Sequence, residues 1–276
     1  MGGRSVGAIL STASAHLVRG ERMRPGYLVV GTKRGGSTSL AEWITAHPDV
    51  ATSSAGKGTH YFDVNHSRGP GWYAAQFPRT SAGFLLVGES SPYYMFHPLA
   101  PGRIAAELPD AKIIMCLRDP VQRAWSHHSY EVSHGRESLD FETAISLETS
   151  RLEGEVERIV ADQHYSADHW RFHAYLRRGH YAEQLRPYLD LFGAPRVLVV
   201  QSEALFARPQ EEMDRVHAFL GLPAHRTATR TARNASPSRS EMSESTLARL
   251  RAYYEPLNDE LYALPGVNFC WTSTAG

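Results

Sequence analysis

The chain has 276 residues, enough for one large α/β domain with a sizeable core. Lysine plus arginine and aspartate plus glutamate number 29 each, so no overall charge favours a nucleic-acid coat or an anionic membrane, and any basic site must be local. Two cysteines, Cys116 and Cys270, do not make the disulfide framework of a small secreted protein.

Residues 1–24 read as an N-terminal segment ahead of a domain spanning 25–276. Val6 to Leu17 is mildly apolar but broken by serines, a threonine and His16, too short and too polar to span a bilayer or to serve well as a signal peptide. A short amphipathic or frayed segment is expected, on a soluble, cytoplasmic protein without an integral membrane segment. The first strand, Tyr27–Gly31, runs into Gly31-Thr32-Lys33-Arg34-Gly35-Gly36-Ser37-Thr38-Ser39-Leu40, and a helix is predicted over Ser39–Ala46. Glycines let the backbone turn tightly and bring its N–H groups near a ligand, and the helix start adds its positive end; such a loop cradles oxyanions. The nucleotide-loop template G-x-x-x-x-G-K-[ST] is met only in part. Gly31 and Gly36 have its spacing, but Ser37 stands where its lysine belongs, and the cation has moved forward to Lys33 with Arg34 beside it. That suits a phosphate ester that reacts without metal help.

Further along, Phe84–Gly88 reads as a strand and Pro101–Leu108 as a helix. Lys112–Leu117 reads as a buried strand ending in Arg118-Asp119-Pro120, and a helix is predicted over Pro120–Ser133. Asp119 suits an N-cap and Pro120 a first helical residue. Arg118 then lies at a strand's carboxyl end, where ligands of open α/β sheets gather, and Ser126, two turns on, is placed to share one anion with it. Residues 134–175 are irregular and rich in Glu and His. Tyr181, Leu185, Tyr188, Leu189 and Phe192 share a helical face, and Pro187 should kink or bound that helix. Arg196–Gln201 is a strand; Gln210–Leu220 is a helix capped by Gly221; Leu247–Leu261 is a late helix interrupted near Pro256. The alternation predicts a single domain with a central parallel sheet flanked by helices, without internal repeats or a domain linker. Among fourteen histidines, His169 and His173 are spaced to share a helical face, but no supporting ligand pattern accompanies them, so a surface pair and no metal is expected. For Trp43, Trp125 and Trp170 core packing is the default.

These motifs resemble the sulfotransferases that use 3′-phosphoadenosine 5′-phosphosulfate. Thr32–Leu40 is similar to their 5′-phosphosulfate loop, and Leu117-Arg118-Asp119-Pro120-Val121-Gln122-Arg123-Ala124-Trp125-Ser126-His127-His128 to their 3′-phosphate motif. Three more segments resemble the heparan-sulfate-type branch, which includes N-deacetylase/N-sulfotransferases and 3-O-sulfotransferases. Lys57-Gly58-Thr59-His60-Tyr61-Phe62-Asp63 resembles K-E-x-H-F-F-D, Gly88-Glu89-Ser90-Ser91-Pro92 resembles G-E-K-S-P, and Arg178-Gly179-His180-Tyr181-Ala182-Glu183-Gln184-Leu185 resembles R-G-x-Y-x-x-x-L. Together they span residues 27–271 and identify a soluble, bacterial-style member with a P-loop-like sulfotransferase fold.

The resemblance implies that Lys33, Arg34, Gly35, Gly36, Ser37, Thr38 and Ser39 hold the donor's 5′ end and that Lys33 stabilises the bridging oxygen as its bond breaks. It implies Arg118 and Ser126 at the 3′-phosphate, with Arg233 and Arg239 in a basic loop closing over the donor, and 3′,5′-bisphosphoadenosine as product. No metal is required. The branch's catalytic glutamate is replaced here by Gly58, so the base must be another residue. His60, of a residue type suited to proton abstraction at neutral pH, and Glu89 are the candidates. Lys57, His60, Tyr61 and Phe62 fall on the acceptor side, as does 134–175. Ser90 replaces a lysine of the branch, which suggests an acceptor less anionic than a heparan chain. The acceptor group is expected to be a hydroxyl, rather than an amine, of a glycan, glycolipid or small metabolite. Two alternatives stay open: a P-loop kinase, which would show obligatory Mg²⁺ and ATP turnover, and an inactive relative that binds bisphosphoadenosine without transfer.

Overall fold

The computed structural model describes residues 21–56, 58–227 and 242–271. Five strands, β1 (Tyr27–Gly31), β2 (Val50–Thr52), β3 (Leu86–Ser90), β4 (Lys112–Leu117) and β5 (Val197–Gln201), form one sheet in the order β2-β3-β1-β4-β5. Every pairing is parallel, with Tyr27 opposite both Gly88 and Lys112. Strands buried on both faces need apolar residues at consecutive positions, and all five residues of β1 are buried. Alternation then sorts the side chains into two cores. Leu28, Val30, Ile113 and Met115 pack with Ile104, Leu185 and Tyr188 on one face. Tyr27, Val29, Ile114 and Cys116 pack with Leu40, Trp43, Met213 and Val216 on the other. At Gly88 any Cβ would strike the Tyr27 ring at 2.4 Å, so the two central strands approach only because that position carries no side chain.

The chain leaves β1 toward β2 and leaves β4 toward β5, in opposite directions along the sheet. The carboxyl ends of these neighbours therefore frame a crevice at the topological switch point. Into it project the loop before the helix Ser37–Thr45 and the corner before the helix Pro120–Ser133.

Several elements depart from the sequence expectation. β2 has three residues, too few to show a pattern. β3 begins two residues late, because Phe84 and Leu85, although apolar, are exposed. The stretch before Asp63 is a turn, with His60 at φ 51° and Gly58 at φ 58°. The helices Tyr181–Phe192 and Glu244–Tyr262 run unbroken through Pro187 and Pro256. Buried neighbours on both sides of each proline, Leu185 and Tyr188 in one helix, Tyr254 and Leu261 in the other, hold what propensity alone would interrupt. Gly221 caps its helix in the left-handed conformation as expected, and Asp119 accepts the Gln122 N–H at 2.8 Å. Arg22 already joins the domain, donating to the Phe77 carbonyl at 2.7 Å. Trp43, Trp125 and Trp170 are buried in core clusters. Among the described residues no helix is long and apolar enough to cross a membrane.

Candidate active site

The loop after β1 is fastened to β4. Thr32 donates its N–H to the Cys116 carbonyl at 2.9 Å, and Gly35 donates to the Thr32 carbonyl at 3.0 Å. A Cβ at Gly35 would lie 2.5 Å from the Cys116 carbonyl oxygen, and Gly36 has φ 95° immediately before the helix. Both glycines are thus demanded by the path. No side chain caps this helix, and uncapped N–H groups at a helix start suit an anion.

Lys33, Arg34, Gly36, Ser37, Thr38 and Ser39 from this loop line one cavity of about 1850 Å³, together with His60, Glu89, Ser90 and Arg118. Arg118 sits at the end of β4, where its backbone carbonyl accepts the Tyr181 hydroxyl at 2.8 Å. Lys33 Nζ lies 2.5 Å from the buried Glu131 carboxylate and over the Phe172 ring at 5.3 Å. Burial, and then the nearby Arg178 guanidinium, push the lysine down to about 7, against the upward pull of Glu131. Arg34, at φ 68°, stacks on Tyr130 at 4.9 Å and donates Nε–H to Ser126 Oγ at 2.9 Å. Ser126 is fully buried and does not line the cavity; it meets the site through Arg34. Gly35 likewise lies behind the surface, as backbone.

His60 and Glu89, the two candidate bases, have different surroundings. His60 is partly exposed in the cavity, and its Nδ1 lies 2.8 Å from Oδ2 of the buried Asp63. That contact engages Nδ1 and not Nε2. Glu89 is buried, and its oxygens accept from Thr59 N–H at 2.6 Å and from the hydroxyls of Thr59, Tyr73, Ser91 and Tyr94 at 2.8–3.0 Å. Its acceptor capacity is used inside the protein, so it reads as a structural hub. Tyr61 and Phe62 correct the expectation of an acceptor contact. They are 1% and 0% exposed, packed in the core beneath the cavity, because the turn at His60 directs them inward. The absence of a glutamate at 58 also has a steric reason: a Cβ on Gly58 would meet the Ser90 carbonyl at 2.3 Å.

Lys57, Arg233 and Arg239 lie outside the described residues. The 134–175 region folds into short helices and brings His134, Arg136, Arg171 and Phe172 to the cavity wall. The sequence reading did not single out these residues or Glu131. The sequence marked 134–175 only as irregular and rich in Glu and His, and the contacts of Arg171 and Phe172 with Lys33 span about half the chain. His169 and His173 face each other at 3.0 Å between Nδ1 atoms, and among the described residues no cluster of three or more ligand side chains is arranged for a metal.

Comparison with known proteins gives the class. Residues 24–252 match the family model described as the sulfotransferase domain. The chain is 30% identical to mouse (Mus musculus) heparan sulfate glucosamine 3-O-sulfotransferase 3A1 over 94% of its own length and 67% of that protein's. It is 26% identical to the bifunctional heparan sulfate N-deacetylase/N-sulfotransferase 1 of Caenorhabditis elegans, over 72% of this chain and 22% of that protein. The crystal structure of a sulfotransferase from Alicyclobacillus acidocaldarius superposes with a TM-score of 0.70 at 30% identity, covering 90% of this chain and 98% of that one. A cation-bearing glycine loop and an arginine corner on neighbouring parallel strands, in a chain matched along most of its length, make this protein a member of the sulfotransferase family, whose donor is 3′-phosphoadenosine 5′-phosphosulfate.

Proposed function

We propose that the chain transfers the sulfuryl group of 3′-phosphoadenosine 5′-phosphosulfate to a hydroxyl of a glycan, glycolipid or small metabolite by in-line displacement. The observation that carries this is the single cavity shared by the Lys33 loop, the Arg118 corner and the His60–Asp63 pair. Two cationic points on adjacent strand ends fit a ligand with phosphates at both ends. The backbone of the loop and the Ser37 and Thr38 hydroxyls receive the 5′-phosphate, with Ser39 behind them. Arg118, with Arg34 held by Ser126, receives the 3′-phosphate; a guanidinium fork suits two phosphate oxygens. Arg233 and Arg239 remain candidate donor contacts, and Lys57 a candidate acceptor contact.

In the transfer, the sulfur–oxygen bond to the 5′-phosphate breaks and a new one forms to the acceptor oxygen. The departing electron pair stays on the phosphate oxygen, where the Lys33 ammonium offsets the charge that develops. His60 Nε2 takes the acceptor proton, and Asp63 holds the ring and favours the imidazolium that results. The mouse relative acts on heparan sulfate glucosamine, which puts glycan hydroxyls first among acceptors to test.

The test is mass-spectrometric detection of transfer from the donor to a panel of hydroxylated acceptors. His60→Ala should lower kcat by roughly 10²–10³-fold while leaving the bisphosphoadenosine Kd within about twofold. Arg118→Ala should instead weaken that Kd by about tenfold or more. An unchanged kcat in the His60 variant removes it as the base. Tight bisphosphoadenosine binding with no transfer to any acceptor would mark an inactive relative, and Mg²⁺-dependent ATP turnover a kinase.

A further inference from the structure

We propose that Glu131 is a positioning residue for sulfuryl transfer, a buried counter-ion that holds the Lys33 ammonium at the cavity wall and keeps it charged. The inference rests on the reading of Lys33 as the cation at the leaving phosphate.

Several ionisable groups surround that lysine. Its own loop adds Arg34. The helix Pro120–Ser133 presents His127, Tyr130 and Glu131, and the turn after it presents Arg136. The segment 168–179 contributes Arg171, whose carbonyl lies 3.4 Å from Lys33 Nζ, and the fully buried Arg178. Glu131 is the carboxylate that meets Lys33 among the described residues, at 2.5 Å; it also pairs with Arg136 at 2.5 Å, and His127 Nε2 lies 3.2 Å from it. Its side chain is 0% exposed and does not line the cavity, so it touches neither donor nor acceptor. Whatever it does for the reaction passes through Lys33.

That influence has a definite sign. Burial and the guanidinium groups of Arg178 and Arg136 favour the neutral amine, and Glu131 opposes them; the balance lies at about 7. With the carboxylate removed, the balance falls and a smaller fraction of the lysine is protonated at any given pH near 7. A neutral amine cannot offset charge on the leaving phosphate. Activity that needs the ammonium is present below the Lys33 pKa and lost as pH rises through it.

The experiment follows kcat/KM for the donor against pH, because that quantity reports groups of the free enzyme. The wild type should show an alkaline limb beginning near 7. Glu131→Gln should move that limb to lower pH by about one unit, an approximately tenfold loss of kcat/KM at pH 7.5. Glu131→Asp, which keeps the charge but draws it back, should move the limb in the same direction by less. In a Lys33→Arg background, where the cation stays charged throughout, the alkaline limb should disappear, and Glu131→Gln should then leave the pH profile unchanged. A Glu131→Gln protein that melts earlier but keeps the wild-type limb overturns the proposal and leaves Glu131 as packing. If Glu131→Gln does not fold, an unshifted limb in Glu131→Asp overturns it equally. Lys33→Ala separates the two readings. Wild-type transfer in that variant removes Lys33 itself, whereas a dead Lys33→Ala beside an unshifted Glu131→Gln removes only the role given to Glu131.

Discussion

At Gly58 one missing side chain decides which residue can act as base. The residue has φ 58°, and an added Cβ would lie 2.3 Å from the Ser90 carbonyl and 2.4 Å from Ser91 Oγ. The heparan-sulfate-type branch carries its glutamate at this point of the motif, yet the backbone here excludes it. Gly58→Glu should therefore add no activity and should lower stability by roughly 1–3 kcal/mol, read as a shift in the urea midpoint. A Gly58→Glu protein with wild-type stability and faster transfer would show that the turn can open to admit a carboxylate. The same turn places His60 against Asp63, whose carboxylate has 0% of its side chain exposed. Asp63→Asn should reduce kcat by about tenfold or more without weakening bisphosphoadenosine, since the amide cannot balance an imidazolium as a carboxylate does. The candidacy of His60 was legible from residue type. The partner that orients it was not, because a three-residue separation in a turn has no periodic signature.

At the scale of elements, the end of β3 anchors the turn that carries His60, the proposed base. Glu89 gathers Thr59 from that turn, Tyr73 from the helix Gly69–Ala75, and Ser91 and Tyr94 from the segment that follows β3. A buried carboxylate with every partner a donor is favourable only while all of those bonds are made. Glu89→Gln brings an NH₂ group against donors and should cost about 2–3 kcal/mol, with the loss appearing in thermal denaturation. Transfer per folded molecule should fall less than in His60→Ala. A Glu89→Gln protein that is fully stable but inactive would restore Glu89 as the base. In the sequence Glu89 looked like a catalytic carboxylate because it sits at a strand end in a recognisable motif. Its saturation by hydroxyls 2–30 residues away is a property of packing alone. The β1 loop is the opposite case. There the glycine spacing, the strand before it and the helix after it are contiguous, so local chemistry reads out the site directly.

The whole molecule buries ionisable groups on both sides of the sheet, and this makes its stability depend on pH. Burial drives His97 down to about 4, holds His127 well below the usual imidazole range and lowers His217, with His47 and His225 adding to the last. In each case the folded pKa lies below the unfolded value, so the stability is fully present above about 6.5 and is lost as pH falls toward the folded value. Denaturant midpoints should drop between pH 7 and pH 4.5, by roughly 2 kcal/mol for a histidine shifted as far as His97. Replacing His97 with Asn, whose amide oxygen can still accept the Leu99 N–H, should flatten that slope. A midpoint independent of pH over this range would contradict the burial of these rings.

The sequence by itself determined the parallel α/β architecture and the two segments proposed to bind the donor's phosphates, the β1 loop and the corner at Arg118. These are written in contiguous residues, in apolar runs, glycine spacing and a capped helix start. The tertiary structure alone decided that Tyr61 and Phe62 serve the core and that Glu89 is a hub. It also decided that His60 leans on Asp63 and that Lys33 finds its counter-ion in Glu131. Those outcomes depend on burial and on contacts between distant segments. A side chain's charge, freedom and reach are set by what the fold packs around it, and no local pattern encodes that.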